Sequence, residues 1–407
     1  MDRGGSARDS DDGVKHPSSR DVGADATAVI AARNAVATVF ILNGLGFASL
    51  FSRVPDMRSG LDLDNSSLGL LLLCGAFGSV LALPTAGALI RRTSAAAVVR
   101  SGSVLVTIGL LIVALGIDLI SSVVLTAAGL FVYGVGTAIW DVAMNVEGAA
   151  VERGLGRSIL PRFHAGWSLG SVTGAGFGVL VTAVDVRVAV HLAVAAVVVL
   201  TAVPATRSFL PAEPDSHEGS SAAAWREPRT LAIGLMVLAF ALTEGSANDW
   251  LALALIDGFD AQRWVGVSGF ALFVVAMTTG RMVGPVLLDR YGRVPVLRTS
   301  ALLALGGLLL LLLGPAAVAA VGVLAWGLGA SLGFPVGVSA GADDPGRAAA
   351  RVSVVSTLGY SAFLAGPPLL GFVGDHVGTL RSLWVVVAVL APTALLVSVA
   401  REPAARD

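Results

Sequence analysis

RSFLPAEPDSHEGSSAAAWREPR, Arg207 to Arg229, is the longest internal polar stretch of an otherwise strongly apolar chain. Six apolar stretches precede it and six follow, at about 30–53, 66–90, 97–117, 120–147, 161–183 and 187–206, then 230–255, 264–288, 295–314, 316–338, 349–373 and 380–400. Each is close to the ~20 residues a helix needs to cross a bilayer. The polar stretch therefore reads as a loop between two halves. The spacing predicts an all-α polytopic membrane protein of twelve transmembrane helices in two six-helix bundles, residues 28–206 and 230–401.

The composition agrees. The 407 residues are 55% hydrophobic and 14% charged, with a mean hydropathy of +0.82. Soluble domains carry about 25% charged residues. A soluble core of this length cannot hide so much apolar surface, so lipid solvates most of the chain. The net charge of −1 gives no argument for nucleic acid. Cys74 is the only cysteine, so no intrachain disulfide forms. The 49 glycines suit close helix packing in lipid. Residues 1–27 are polar and rich in Gly and Ser, and are expected to be a disordered tail; residues 402–407 are a short second tail. No apolar core follows a basic start, so no signal peptide is expected.

Arginines set the expected orientation. With a cytoplasmic N-terminus, fourteen fall in or beside inner loops and five in outer loops. That bias satisfies the positive-inside rule and places both termini in the cytoplasm, as in a bacterial inner-membrane protein.

The halves repeat. GALIRR (Gly87–Arg92) closes the second span and GPVLLDRYGR (Gly284–Arg293) the eighth. YGVGTAI (Tyr133–Ile139) echoes WGLGASL (Trp326–Leu332), and SLGSVTGAGFG (Ser168–Gly178) echoes TLGYSAFLAGPPLLG (Thr357–Gly371). A six-helix unit used twice is the pattern behind alternating access, with the solute between the halves near the midplane.

These features resemble the major facilitator superfamily over essentially all of residues 30–400. Its loop motif G-x-L-x-D-R-x-G-R is matched after the eighth span by Leu287, Asp289, Arg290, Gly292 and Arg293, with Pro285 at the first glycine. The copy after the second span keeps Gly87, Leu89 and Arg92, but Arg91 replaces the aspartate and Ala95 the last arginine. The resemblance implies a gating role for Asp289, Arg290 and Arg293. A narrower likeness, carried by DVAMNVEGAAVE, FHAGWSLG, EGSANDW and GYSAFLAGPPLLG, is to the fucose-permease-like branch. That branch has an acid four residues before an asparagine on helix four, a spacing matched by Asp141 and Asn145. Its sugar permeases also use a carboxylate in helix one, where this chain has Asn43 and no acid.

The polar residues inside the spans are the candidate machinery. Asp141 and Asn145, four apart, share one helix face. A lipid-facing aspartate at depth costs roughly 2.5–3.5 kcal/mol, so Asp141 is expected to face the central cavity. It is a candidate for proton coupling, with Asn145 binding solute hydroxyls or orienting the acid; a structural hydrogen bond is the plainer reading. Glu244 and Asn248 repeat the spacing, as a second coupling acid and a solute-binding amide, and Arg281 is the candidate partner of Glu244. Asp249 is expected at an outer gate or solvated rim. Glu147, Glu152 and His164 are expected to tie the fourth span to the fifth as an inner gate. Trp167 reads as a surface for a sugar ring, a gate plug or ordinary packing, and Asn43 as a cavity residue. Arg53 is expected to be a solvated helix end beside Asp56. Phe334–Pro335 and Gly366–Pro368 are expected bends.

No Walker loop, dinucleotide fingerprint or Cys/His metal spacing is present, so no enzyme activity or cofactor is expected. Energy then comes from an ion gradient, taken to be protons because buried carboxylates are available. The expected partners are a small-molecule solute and membrane lipid, with a monomer as the default. Three functions stay open: proton-coupled uptake of a polar, sugar-like molecule; proton-coupled efflux of a lipophilic drug or metabolite; and a transport-dead membrane receptor. Proton movement driven by sugars, by lipophilic cations or by neither separates them.

Overall fold

The computed structural model describes residues 19–156, 159–210, 224–344 and 347–402. Its framework is α1 (Ser19–Phe51), α2 (Asn65–Arg92), α3 (Ala95–Asp118), α4 (Val123–Leu155), α5 (Leu160–Ala183) and α6 (Val188–Leu200). Then come α7 (Pro228–Phe259), α8 (Arg263–Tyr291), α9 (Arg293–Leu313), α10 (Ala316–Ala330, resumed as Gly333–Gly341), α11 (Ala348–Val377) and α12 (Trp384–Leu396). Among the described residues there is no strand. Eleven spans are long and apolar enough to cross a membrane. The twelfth helix, α5, falls short because its many Gly, Ser and Thr residues lower its hydropathy.

Two boundaries differ from the sequence reading. α1 starts at Ser19, so residues 19–27 belong to the helix rather than to a tail. The central loop begins and ends in short 3₁₀ turns, Thr206–Ser208 and Ala224–Arg226. Residues 1–18, 211–223 and 403–407, which hold the rest of the expected tails and loop, lie outside the described residues.

Local chemistry sets the helix ends. Asp64, Ser94 and Ser122 cap α2, α3 and α4 by accepting a backbone N–H from Ser67, Ala97 and Leu125. α4 stops at Gly156, whose φ of +62° is in the left-handed region that favours a residue without Cβ. α10 breaks just ahead of Phe334–Pro335, as the sequence suggested.

The packing repeats as the sequence does. α1 packs on α5 and α7 on α11; α3 packs on α4 and α9 on α10; α2 packs on α4 and α8 on α10. The halves meet through α2 against α11 and α5 against α8, which are equivalent pairs under the repeat. Glycines bring backbones together at these seams. A Cβ on Gly134 would strike the Gly75 carbonyl, and one on Gly69 the backbone of Pro367 in the other half. The outside carries an apolar belt, with Leu70, Val124, Leu180, Leu313 and Leu395 exposed, as lipid contact demands.

Candidate functional site

A cavity of about 290 Å³ lies between the halves. Three residues spaced by four line it from α1, Asn43, Phe47 and Phe51, and three more from α4, Tyr133, Thr137 and Asp141. That spacing holds one helix face toward the cavity for three turns. Trp167 enters from α5, Asn248 and Asp249 from α7, and Tyr360 and Phe363 from α11.

The Asp141 carboxylate has no hydrogen bond or ion pair among the described residues. Asn145 does not support it. Its Nδ2 donates to the Asp141 backbone carbonyl at 2.9 Å, the structural hydrogen bond of the plainer reading, and Asn145 is not among the residues lining this cavity. The amide satisfies its own helix instead. Glu244 is buried, and both its oxygens accept from Nη2 of Arg281, each at 3.0 Å. The Arg281 guanidinium lies over the Trp167 ring at 5.9 Å, and Trp167 Nε1 donates to Asn43 Oδ1 at 2.9 Å. One line of contacts thus runs Glu244–Arg281–Trp167–Asn43, from one half into the other.

Asn248 lines the cavity at 7% exposure, and its Oδ1 has no partner. Asp249 is neither rim nor solvated. It is 8% exposed and faces the cavity with no hydrogen bond or ion pair among the described residues. Tyr360 is within electrostatic reach of both Asp141 and Glu244. No group of three or more His, Cys, Asp or Glu among the described residues is placed to hold a metal ion.

The end of the molecule away from the termini is sealed by polar ties between the halves. Arg58 grips Asp257 with two nitrogens, at 2.5 and 2.6 Å, and Thr379 donates to the same carboxylate. Arg263 Nη1 donates to Asp56 at 2.6 Å. Asp375 on α11 accepts the N–H groups of Asn65 and Ser66, both at 2.9 Å, so a carboxylate of one half stabilises the N-terminus of α2 in the other. Behind this seal Arg53, 1% exposed, donates to His191 Nδ1 at 2.9 Å, to the Val186 carbonyl and to Asp56. The solvated helix end expected for Arg53 is therefore a buried node. A buried guanidinium needs such a set of acceptors.

At the end holding the termini, several ties among the described residues run within one half. Glu152 accepts from the N–H groups of Ile159 and Leu160, at 2.7 and 2.8 Å, and so joins α4 to the start of α5. Glu147 accepts from Leu210 N at 2.6 Å, beyond α6, rather than from α5. His164 bonds to neither acid. It is exposed and lies edge-on to Phe40 at 5.2 Å, so the expected three-residue gate is not assembled. Arg293 pairs with Asp343 at 2.6 Å, and Asp343 also takes Arg229. Arg290 lies against the Tyr291 ring, while Asp289 is exposed without an ion pair among the described residues. Glu227, ahead of α7, takes Arg351 at 2.6 Å and Arg347 at 3.1 Å. The hydrogen bond from Arg351 is the main reason its carboxyl is held below the usual range.

Tyr133, Thr137, Tyr360, Phe47 and Phe363 were not singled out from sequence. The every-fourth-residue spacing with Asp141 and Asn43 could have found the first two and Phe47.

A family model described as Major Facilitator Superfamily matches residues 36–367. An uncharacterized MFS-type transporter of Yersinia pestis is 30% identical over 342 residues, 83% of this chain and 87% of that protein. Among solved structures, the nucleoside transporter NupG superposes with a TM-score of 0.74 at 15% identity, covering 92% of this chain and 99% of that one. The E. coli fucose:proton symporter FucP superposes with a TM-score of 0.63 at 17% identity, covering 91% and 98%. At these identities the two superpositions concern the fold.

Proposed function

Because the chain belongs to the major facilitator superfamily, we propose that it carries a small, polar, sugar-like solute across the bacterial inner membrane together with protons, both termini being cytoplasmic. Family membership makes it a multi-pass membrane transporter of a small molecule, and not an enzyme. The observation that carries the finer reading is Asp141, a carboxylate without an ion pair on the wall of a cavity between two repeated halves. A group so placed can take a proton from whichever side the cavity faces and release it on the other. Asn43, Asn248 and Trp167 supply the hydrogen bonds and ring surface that a hydroxylated ring needs. The similarity in fold to a fucose:proton symporter and a nucleoside transporter supports the same class of solute.

Alternating access follows from the two ends. With both termini cytoplasmic, the sealed end is the extracellular one, and the structure is read as closed on that side. The seal's pairs, Arg58–Asp257 and Arg263–Asp56, must part before the cavity faces outward. Arg281, held by Glu244 and stacked on Trp167, joins the halves at the cavity itself, so a solute that displaces Trp167 would loosen that joint. No cofactor enters this scheme; the proton gradient drives it, and one chain contains the whole cavity.

The test uses the full chain in vesicles with a pH-sensitive dye inside. Sugars should drive proton influx in wild type, and Asp141→Asn should abolish it while the protein still elutes as a folded species. Proton movement with lipophilic cations alone would move the reading to efflux. A silent wild type with both panels would remove the sugar assignment.

A further inference from the structure

We propose that the preferred solute is a single hydroxylated ring bearing a protonated amine, and that Asp249 recognises the amine. The inference rests on the transport reading above and narrows its substrate class. The cavity wall holds two carboxylates, Asp141 and Asp249, from opposite halves, and no Arg, Lys or His. The Arg281 guanidinium, which lies over the Trp167 ring of the wall, is already held by both oxygens of Glu244. An anionic solute would meet uncompensated like charge in a poorly hydrated space, where repulsion is strong.

The hydrogen-bonding inventory points the same way. Asn248 Oδ1 is buried on the wall and unpartnered, an acceptor waiting for a donor. The Trp167 Nε1 donor is already spent on Asn43 and the Ser79 hydroxyl on the Gly134 carbonyl. Beside the hydroxyls of Tyr133, Thr137 and Tyr360, which can donate or accept, the wall offers a ligand two carboxylates and an unpartnered amide oxygen, and no cationic donor. An ammonium is three donors and no acceptor, and its bonds to carboxylates are charge-assisted. Aromatic faces from Phe47, Trp167 and Tyr360 also favour a cation-bearing ring. The volume of about 290 Å³ lies at the small end of ligand pockets, ~300–1,000 Å³, and suits one ring rather than two.

The two acids then divide the work. Asp141 on α4 carries the proton, and Asp249, beside the unpartnered Asn248 on α7, carries charge selectivity. The probes are glucose, glucosamine and glucuronate, which share a ring and differ in charge. Apparent affinities come from exchange of each radiolabelled sugar in vesicles at about pH 6, where such an amine is protonated. Glucosamine should bind at least about tenfold more tightly than glucose, the worth of one charge-assisted bond, and glucuronate should not exchange. In Asp249→Asn the amine preference should fall toward one, and Asp249→Glu should restore part of it. Equal affinities for glucosamine and glucose, a preference for glucuronate, or a preference untouched in a folded Asp249→Asn would overturn the inference and leave sugar transport standing. Exchange of none of the three would overturn both.

Discussion

The seal at the end away from the termini and the central cavity use the same residue types in opposite ways. In the seal each carboxylate that joins the halves is answered: Asp257 by Arg58 and Thr379, Asp56 by Arg53 and Arg263, Asp375 by two backbone N–H groups. In the cavity Asp141 and Asp249 have no ion pair among the described residues, and Asn248 Oδ1 has no partner. Answered charges hold a geometry. Unanswered ones are free to bind a proton or a ligand, and a buried group left so is a functional candidate for that reason. Glu244–Arg281 lies between these cases, a closed pair set beside the cavity and reaching across it to Trp167.

The largest stability effect should come from breaking that closed pair. Arg281→Ala leaves Glu244 buried without its cation and should cost about 2–3 kcal/mol, below the 3–5 kcal/mol of a fully buried pair because Arg281 is partly exposed. Thermal unfolding in detergent measures it. Asp141→Asn removes no partner, so it should melt at or above the wild-type temperature. A large loss there would erase the contrast between the two regions.

The next effect is conformational. Arg58→Ala removes a bidentate pair at a partly exposed site and should weaken the closed outer end by about 1–2 kcal/mol, a factor of about 5–30 in the closed-to-open ratio. It reads out as faster labelling, from outside, of a cysteine placed at Leu72→Cys in a Cys74→Ser background. Asp375→Asn should act in the same direction by about 1 kcal/mol, since the α2 N-terminus loses a charge but keeps an acceptor. Unchanged labelling in both variants would mean that the seal is incidental.

The smallest effect is at the end of the molecule that holds the termini. The Glu227 carboxyl is held below its ordinary value of 4.5, chiefly by Arg351. A depressed folded value gives stability that is present above the unfolded value and is lost as pH falls through the folded one. The melting difference between wild type and Glu227→Gln should therefore be flat above about pH 6 and shrink below pH 4.5. A difference growing in acid would contradict the ion-pair assignment.

Much of the architecture was legible in the sequence because lipid imposes length and hydropathy on every span, and because two copies of one unit leave repeated words. The cavity was legible in part. Asp141, Asn43, Trp167 and Asn248 stood out as polar or amphipathic groups at depth, and Glu244 found the expected Arg281. Asn145 does not hold the Asp141 carboxylate, because an amide four residues after an acid on a helix can as well bond that residue's backbone carbonyl. His164 misled because nearness in sequence to Glu147 and Glu152 does not decide which helix face it takes. Asp249 was assigned to a gate or a solvated rim, and Arg53 to a solvated helix end, by their position along a span, yet tertiary packing buries both. The seal was illegible, since Arg58–Asp257 and Asn65–Asp375 join residues 199 and 310 positions apart. No local pattern marks such a pair.

One comparison tests the central claim directly: solute exchange against gradient-driven accumulation in Asp141→Asn vesicles. If the unpaired carboxylate carries the proton, exchange should persist, because the halves still alternate around the solute, while accumulation against a gradient should disappear. Accumulation at wild-type levels, or loss of exchange together with accumulation in a folded protein, would contradict the assignment of Asp141 as the coupling group.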